Sequence, residues 1–201
     1  MKGFSSNMAR LLIVGPQGSG KGTQGVLLAE EFDIPVISTG DVFRANIKGE
    51  TELGLRIKAV VDSGELVSDE LTGEVVRDRL NQDDAKGGFL LDGYPRNAQQ
   101  VADLDAYLAD RGEALDAVVQ LDVPLEVCLE RLVARAAEQG RADDTEAVIR
   151  RRLEIYREQT APILDIYAER GILAVIDGVG DVAEISERVI SAVAGYVGVS
   201  E

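Results

Sequence analysis

The stretch Gly15-Pro16-Gln17-Gly18-Ser19-Gly20-Lys21-Gly22-Thr23 constrains this chain more than any other. It follows Leu11-Leu12-Ile13-Val14, an apolar run that reads as a buried parallel strand. It precedes Thr23 to Phe32, where Val26, Leu27, Leu28 and Ala29 suit a helix. A strand, a glycine-rich turn and a helix N-terminus together form an anion cradle. Glycines let the backbone curl until successive N–H groups point inward, and the helix dipole adds partial positive charge. Lys21 supplies a full charge on a mobile stem for the outer phosphates. A tight turn without a ligand is the plainer alternative. Gly15, Gly20 and Lys21 stand at P-loop spacing between a strand and a helix, which favours phosphate binding. One position departs from the general motif: Gly22 stands where Ser or Thr follows the lysine, and the hydroxyl arrives one residue later, at Thr23.

A chain of 201 residues fits one domain. No run approaches transmembrane length and no basic-apolar leader is evident, so a cytoplasmic protein with no membrane association is expected. Residues 1–7 are polar and precede a second methionine, Met8; they are set aside as an N-terminal extension. Cys128 is the only cysteine and there is no histidine, which excludes an intrachain disulfide and a structural zinc cage. Cys128 shares an apolar face with Leu125, Leu129 and Leu132 and reads as a buried, inert thiol. The net charge of −15 argues against nucleic acid as a partner. It does not exclude a nucleotide, because cations gathered in a cleft focus their own field. Of the 21 basic residues 16 are arginine, the side chain that forks onto phosphate oxygens.

No repeat or linker divides the chain. Ile34 to Ile37 reads as a second strand, and Ser38 to Asp41 as a loop feeding a helix from Asp41 to about Lys48. Further helices are expected over Leu53 to Val61 and Glu70 to Leu80, the latter started by Ser68-Asp69. These three interrupt the strand–helix alternation and read as an inserted flap. Gly88 to Asp92 is a core strand ending in a carboxylate, a position suited to a magnesium shell beside a P-loop. A helix follows Asn97, then a strand over Ala117 to Asp122 and a helix from Pro124 carrying Arg131 and Arg135. A polar segment, Ala136 to Asp144, leads to a long helix from Thr145 that reaches or bends at Pro162. Leu173 to Asp177 is the last strand before a C-terminal helix. Strands alternating with helices mean a parallel α/β sheet covered on both faces.

Arg44, Arg96, Arg131, Arg135, Arg141 and Arg152 are the candidate phosphate binders, several of them at loop–helix junctions. Two phosphate-bearing substrates brought head to head need mainly positioning and charge neutralisation.

Four segments then carry a resemblance. Gly18 to Gln24, Ser38-Thr39-Gly40-Asp41 with Arg44, Leu90-Leu91-Asp92-Gly93-Tyr94-Pro95-Arg96, and Gly140-Arg141-Ala142-Asp143-Asp144 together resemble the adenylate kinase family. The resemblance runs from about Met8 to the C-terminus and implies a three-layer P-loop kinase fold with a five-stranded parallel sheet of order 2-3-1-4-5. It implies the reaction Mg·ATP + AMP ⇌ 2 ADP, in a monomer whose partners are ATP, AMP and ADP. It implies a single kinase domain over 8–201, with an AMP-binding flap at 38–67 and a lid at 135–144. Between Arg135 and Arg141 stand only Ala136 to Gly140, which resembles the short-lid type without zinc.

By the same resemblance, Gly18, Ser19, Gly20, Lys21, Gly22 and Thr23 would hold the ATP phosphates. Arg131 would lie against the ATP base, Arg135 would reach ATP phosphates, and Gly180 would border the base through its backbone. Thr39, Arg44, Glu65, Leu66, Val67, Gly93, Tyr94, Pro95, Arg96 and Gln100 would hold AMP. Arg141 and Arg152 would clamp the transferring group, making Lys21, Arg96, Arg135, Arg141 and Arg152 the catalytic set. Asp92 would hold Mg²⁺ through water, with no direct protein ligand. Arg150 and Arg151, set about 200° and 100° around the helix from Arg152, are left as surface charges.

A UMP/CMP kinase shares the short lid and most of these arginines. Thr39 is the residue type that adenylate kinases set against adenine, where pyrimidine-specific relatives tend to have alanine. Gln100 carries an amide that can present a donor and an acceptor to a purine edge. A catalytically silent nucleotide-binding module is disfavoured because Lys21 and every arginine of the set are present.

Overall fold

The computed structural model describes residues 9–139 and 145–198, with the backbone alone for 135–139. Five strands, β1 (Arg10–Val14), β2 (Val36–Ser38), β3 (Phe89–Asp92), β4 (Ala117–Asp122) and β5 (Leu173–Asp177), form one sheet. All neighbours are parallel and the order is β2-β3-β1-β4-β5, as the resemblance implies. The helices are α1 (Lys21–Phe32), α2 (Thr39–Lys48), α3 (Glu52–Asp62), α4 (Asp69–Leu80) and α5 (Ala98–Ala109), then α6 (Leu125–Gln139), α7 (Glu146–Ile155), α8 (Ile163–Glu169) and α9 (Val182–Val197).

Side chains alternate across a strand, so β1 feeds two cores. Leu11 and Ile13 join α1 and α9 on one face through Leu28, Phe32, Val189 and Val193. Leu12 and Val14 join α4, α5 and α8 on the other through Leu80, Leu104, Leu108 and Tyr167. Burial on both faces is why β1, β3 and β4 read as continuous apolar runs. Cys128 is fully buried and burial raises its thiol pKa, as an inert structural cysteine requires.

A third apolar cluster, Phe43, Ile57 and Val67, joins α2 and α3 to the first turns of α4 through Leu71 and Val75. The next residues of α4, Val76 and Leu80, belong to the sheet's own core. Thus α4 anchors the two smaller helices and is not itself a peripheral insertion.

Three expectations are revised. The second helix starts at Thr39, not Asp41, because the Ser38 hydroxyl caps it by accepting from the Asp41 N–H at 3.3 Å. The polar stretch after Arg135 is not wholly a loop: Ala136 to Gln139 continue α6. The long helix before Pro162 is broken by a π-turn over Tyr156–Thr160, where the Ala161 N–H reaches back to Tyr156 O at 2.7 Å. Pro162 has no N–H to donate and crowds the preceding turn, so the ladder widens before it.

Candidate active site

β1 lies between β3 and β4, so connections leave it on both sides and a crevice opens at the carboxyl ends of these strands. The loop from Gly15 to Gly20 fills that point. Gly18 and Gly20 take φ of 84° and 97°, the left-handed region that favours glycine. A Cβ on Gly18 would lie 2.4 Å from Cys128 O, so the loop rests directly on the backbone of α6. Ser38, Thr51, Ser68, Asn97 and Thr145 cap the starts of α2, α3, α4, α5 and α7 with side-chain oxygens. No side chain caps α1. Its N-cap is Gly20, and Gly20, Lys21, Gly22 and Thr23 bring the start of the helix to the crevice.

The crevice holds a cavity of about 480 Å³, with a contiguous side pocket of about 60 Å³. Lys21, Arg44, Arg96, Arg131 and Arg152 all line the main cavity, against the carboxylates of Asp41 and Asp92. Lys21 Nζ donates to Gly15 O at 2.8 Å and Pro16 O at 2.9 Å, folding over its own loop. Arg131 donates to Ser19 O and Gly178 O, both at 3.2 Å, and so ties the glycine loop to the turn after β5. Arg44 lies over Gly40 and pairs with Asp41 at 2.5 Å. Arg96 Nε donates to Gly93 O at 2.7 Å. Burial first, helped by Arg152 and Arg44, pushes the Arg96 pKa below its ordinary value; Asp92 opposes them. An anion entering here would relieve that mutual repulsion.

Gly18, Gly20, Lys21, Gly22 and Thr23 line the cavity, and Ser19 is buried beneath it with an unpartnered Oγ. Gly22 borders open space where a Cβ would meet nothing within 4 Å. Leu66, Gly93 and Pro95 also face the main cavity, while Thr39, Glu65, Val67 and Gln100 line the side pocket. The Thr39 hydroxyl is buried and donates to Gly93 O at 2.9 Å. Gln100 is buried too, and its amide is already engaged by Arg96 N–H and Asp69. Tyr94 lines neither space: it is 3% exposed, packs in the apolar core under α5, and has its hydroxyl pKa pushed up to about 12 by burial. Gly180 also lies outside both linings, on the turn after β5. The Arg135 side chain and Arg141 fall outside the described residues.

Arg150 is exposed and pairs with Glu146 one turn earlier, as a surface charge should. Arg151 is not such a charge. Its guanidinium forks onto Glu65, Nε to Oε1 at 2.5 Å and Nη2 to Oε2 at 3.2 Å, joining α7 to the segment after α3. The hydrogen bond from Arg151 holds the Glu65 carboxyl below its ordinary pKa. The pair therefore contributes above the carboxyl's unfolded pKa and is lost as pH falls through the lowered folded value. Beside it, Gly64 (φ 81°) sits so close to α7 that a Cβ would lie 3.1 Å from Val148.

Tyr156 and Thr160, on the π-turn, are lining residues that sequence reading missed. Thr160 Oγ1 donates to Arg96 O at 2.8 Å and steadies the loop that carries that arginine. The signal was available: both follow Arg152 at helical spacing, four and eight residues on.

The adenylate kinase family model matches residues 13–172. A Bifidobacterium longum protein named adenylate kinase is 61% identical over 182 residues, 90% of this chain and 98% of the relative. Proteins of the same name from Clavibacter michiganensis and Stenotrophomonas maltophilia are 54% and 53% identical, covering 94% and 92% of this chain and 94% and 98% of their own. With the sheet order, the glycine loop and the converging cations in place, the chain belongs to the adenylate kinase family.

Proposed function

We infer that this cavity binds ATP and AMP with their phosphates facing each other and moves a phosphoryl group between them, giving two ADP. The observation that carries the reading is the convergence of Lys21, Arg44, Arg96, Arg131 and Arg152 on one crevice at an uncapped helix N-terminus. The two substrates concentrate negative charge, and transfer between them needs alignment and neutralisation more than a protein base. The glycine loop takes the ATP phosphates and Arg131 lies toward the ATP base, with Gly180 bordering it through its backbone. Arg44 and Arg96 take the AMP phosphate. The side pocket with Thr39, Val67 and Gln100 takes the AMP base. Tyr94 supports the Gly93–Arg96 turn from the core. Arg135 reaches the ATP phosphates, Arg141 and Arg152 clamp the transferring group, residues 38–67 act as the AMP flap, and residues 135–144 as a short lid. The AMP reading is preferred over a UMP/CMP kinase because Thr39 and Gln100 are buried polar groups in the side pocket. Offering ATP with AMP, CMP, UMP, GMP and dAMP separately, and resolving the products, tests the assignment.

Asp92 ends β3 in register with Ile13 of β1 and lines the same cavity as Lys21 and Thr23. One carboxylate beside a phosphate cradle fits a magnesium ion that keeps its waters and is held chiefly by substrate oxygens. Bound there, Mg²⁺ would neutralise phosphate charge, with Asp92 orienting its waters. Among the described residues no group of three or more His, Cys, Asp or Glu could hold a metal. Magnesium removal is expected to stop ADP formation, while, with one cysteine and no histidine in the sequence, dialysis against a zinc chelator leaves the melting temperature unchanged. Stoichiometric zinc in elemental analysis would contradict the short-lid reading.

Thr39→Ala is expected to let CMP and UMP compete better with AMP. Losing the buried hydroxyl leaves Gly93 O with the Arg96 Nε donor alone and removes one polar contact to the base, costing AMP about 1–3 kcal/mol. An unchanged AMP/CMP ratio of kcat/KM would take Thr39 out of the base pocket.

Among the described residues no helix is long and apolar enough to cross a membrane. The net charge of −15 disfavours nucleic acid as a partner, and we propose a monomeric cytoplasmic enzyme that binds nucleotides.

A further inference from the structure

We propose that Asp69 is a positioning residue that fixes which way round the Gln100 amide faces, and thereby sets the choice of adenine over 6-oxopurines. The proposal rests on the reading of Gln100 as the residue facing the AMP base.

Gln100 sits in the wall of the side pocket, 2% exposed. Its Oε1 accepts from the Arg96 backbone N–H at 2.8 Å, and its Nε2 donates to Asp69 Oδ1 at 2.7 Å. The two partners are chemically one-way: a backbone N–H can only donate and a carboxylate can only accept. Turning the amide over would set donor against donor at Arg96 and acceptor against acceptor at Asp69. Asp69 is in turn held by Asn97, whose Nδ2 donates to the same Oδ1 at 2.9 Å while its Oδ1 accepts from the Gln100 N–H at 2.9 Å. Asp69 also occupies the first turn of α4, where the helix N-terminus favours a negative charge. Every member of this network therefore has one orientation.

Each amide atom of Gln100 has capacity for two bonds and spends one on the protein. One N–H and one lone pair remain, on atoms whose positions cannot be exchanged. Adenine offers an amino donor and a ring-nitrogen acceptor along its pairing edge. Hypoxanthine offers the reverse, a carbonyl acceptor and a ring N–H donor. An amide locked in one sense matches only one of these orders, whereas an amide free to turn can meet either. Arg96 N–H alone cannot enforce the lock, because a turned amide would lose that single bond and regain one at the base.

The test compares kcat/KM for AMP and for inosine monophosphate, with ATP as donor. Asp69→Ala is expected to lower the AMP/IMP ratio at least about tenfold, the loss of one oriented buried polar match. Asp69→Asn is expected to restore it, since an amide oxygen can accept both bonds that Oδ1 receives. Mere destabilisation of α4 would lower both rates together and leave the ratio where it was. Should Asp69→Ala fail to fold, Asp69→Leu, closer in volume and equally without an acceptor, carries the same expectation. An unchanged ratio in the acceptor-less variant, or a ratio as low in Asp69→Asn, overturns the proposal. Gln100→Leu separates the two levels. If it collapses the ratio while Asp69→Ala does not, only the role of Asp69 fails. If Gln100→Leu leaves the ratio intact, the placement of Gln100 against the base fails, and the proposal with it.

Discussion

Lys21→Met is expected to lower ADP formation by about a hundredfold to a thousandfold or more while leaving a folded protein. Removing one donor aimed at developing charge typically costs that much in a water-poor site. Lys21 is also the cation closest in sequence to the glycine loop, and its Nζ already lies within hydrogen-bond reach of Gly15 O and Pro16 O. Methionine keeps the length of the stem and loses both the charge and those two bonds. Each such bond contributes about 0.5–1.5 kcal/mol net, so the melting temperature should fall by a few degrees and the transition should stay cooperative. Lys21 belongs to none of the apolar clusters, which is why the core survives. A coupled assay and a thermal melt on the same preparation check both halves. Near-parental turnover would remove Lys21 from the phosphate site.

Arg152→Lys is expected to cut kcat far more than it raises KM for either nucleotide. Arg152 lines both the main cavity and the side pocket, and its Nη2 donates to Val61 O at 3.3 Å. It therefore stands where the two halves of the site meet. Lysine keeps the charge but loses the planar fork that can bridge two phosphate oxygens at once. An interaction realised as charge redistributes in the transition state appears in kcat, at about 2–4 kcal/mol for donors of this kind. Arg150→Lys is the matched control and should change little, because Arg150 is exposed and pairs with Glu146 on its own helix. If Arg150→Lys proves damaging and Arg152→Lys mild, the register of α7 is misread. Arg151 is unsuitable as a silent control, since its fork holds Glu65.

What could be read from the sequence follows from locality. Leu11 to Val14 and Leu90 to Asp92 announce buried strands because both of their faces are covered, and no partner need be known. The glycine loop is legible because its chemistry is backbone chemistry at fixed spacing. The caps at Ser68, Asn97 and Thr145 act within three residues and were visible for the same reason. The features that escaped depend on distant partners. Arg151 looks like any surface charge until Glu65, far earlier in the chain, is brought beside it. Tyr94 reads as part of a binding turn until α5 covers it. Gln100 reads as a free amide until Asp69 claims one of its protons. The π-turn before Pro162 was half legible: proline promised an irregularity, but a kink and a widened turn share that signal.

The pairing of β1 also fixes when, during assembly, this chain first acquires a place for phosphate. Arg10 aligns with Phe89 and Leu11 with Ala117, so both neighbours of the central strand lie far downstream of it in the sequence. Gly18 then rests on the Cys128 carbonyl and the Leu132 side chain. Closing such long loops is entropically slow, and pairing of this kind comes late relative to local helix formation. The glycine loop, made among the first residues at the ribosome, therefore has no floor until Leu132 has emerged. A nascent chain ending at Asp116 is expected to gain no protection from proteolysis with ATP, whereas the full chain should. Nucleotide can thus select only molecules whose synthesis has passed Leu132, which makes substrate a stabiliser of an assembled sheet and not a template for it.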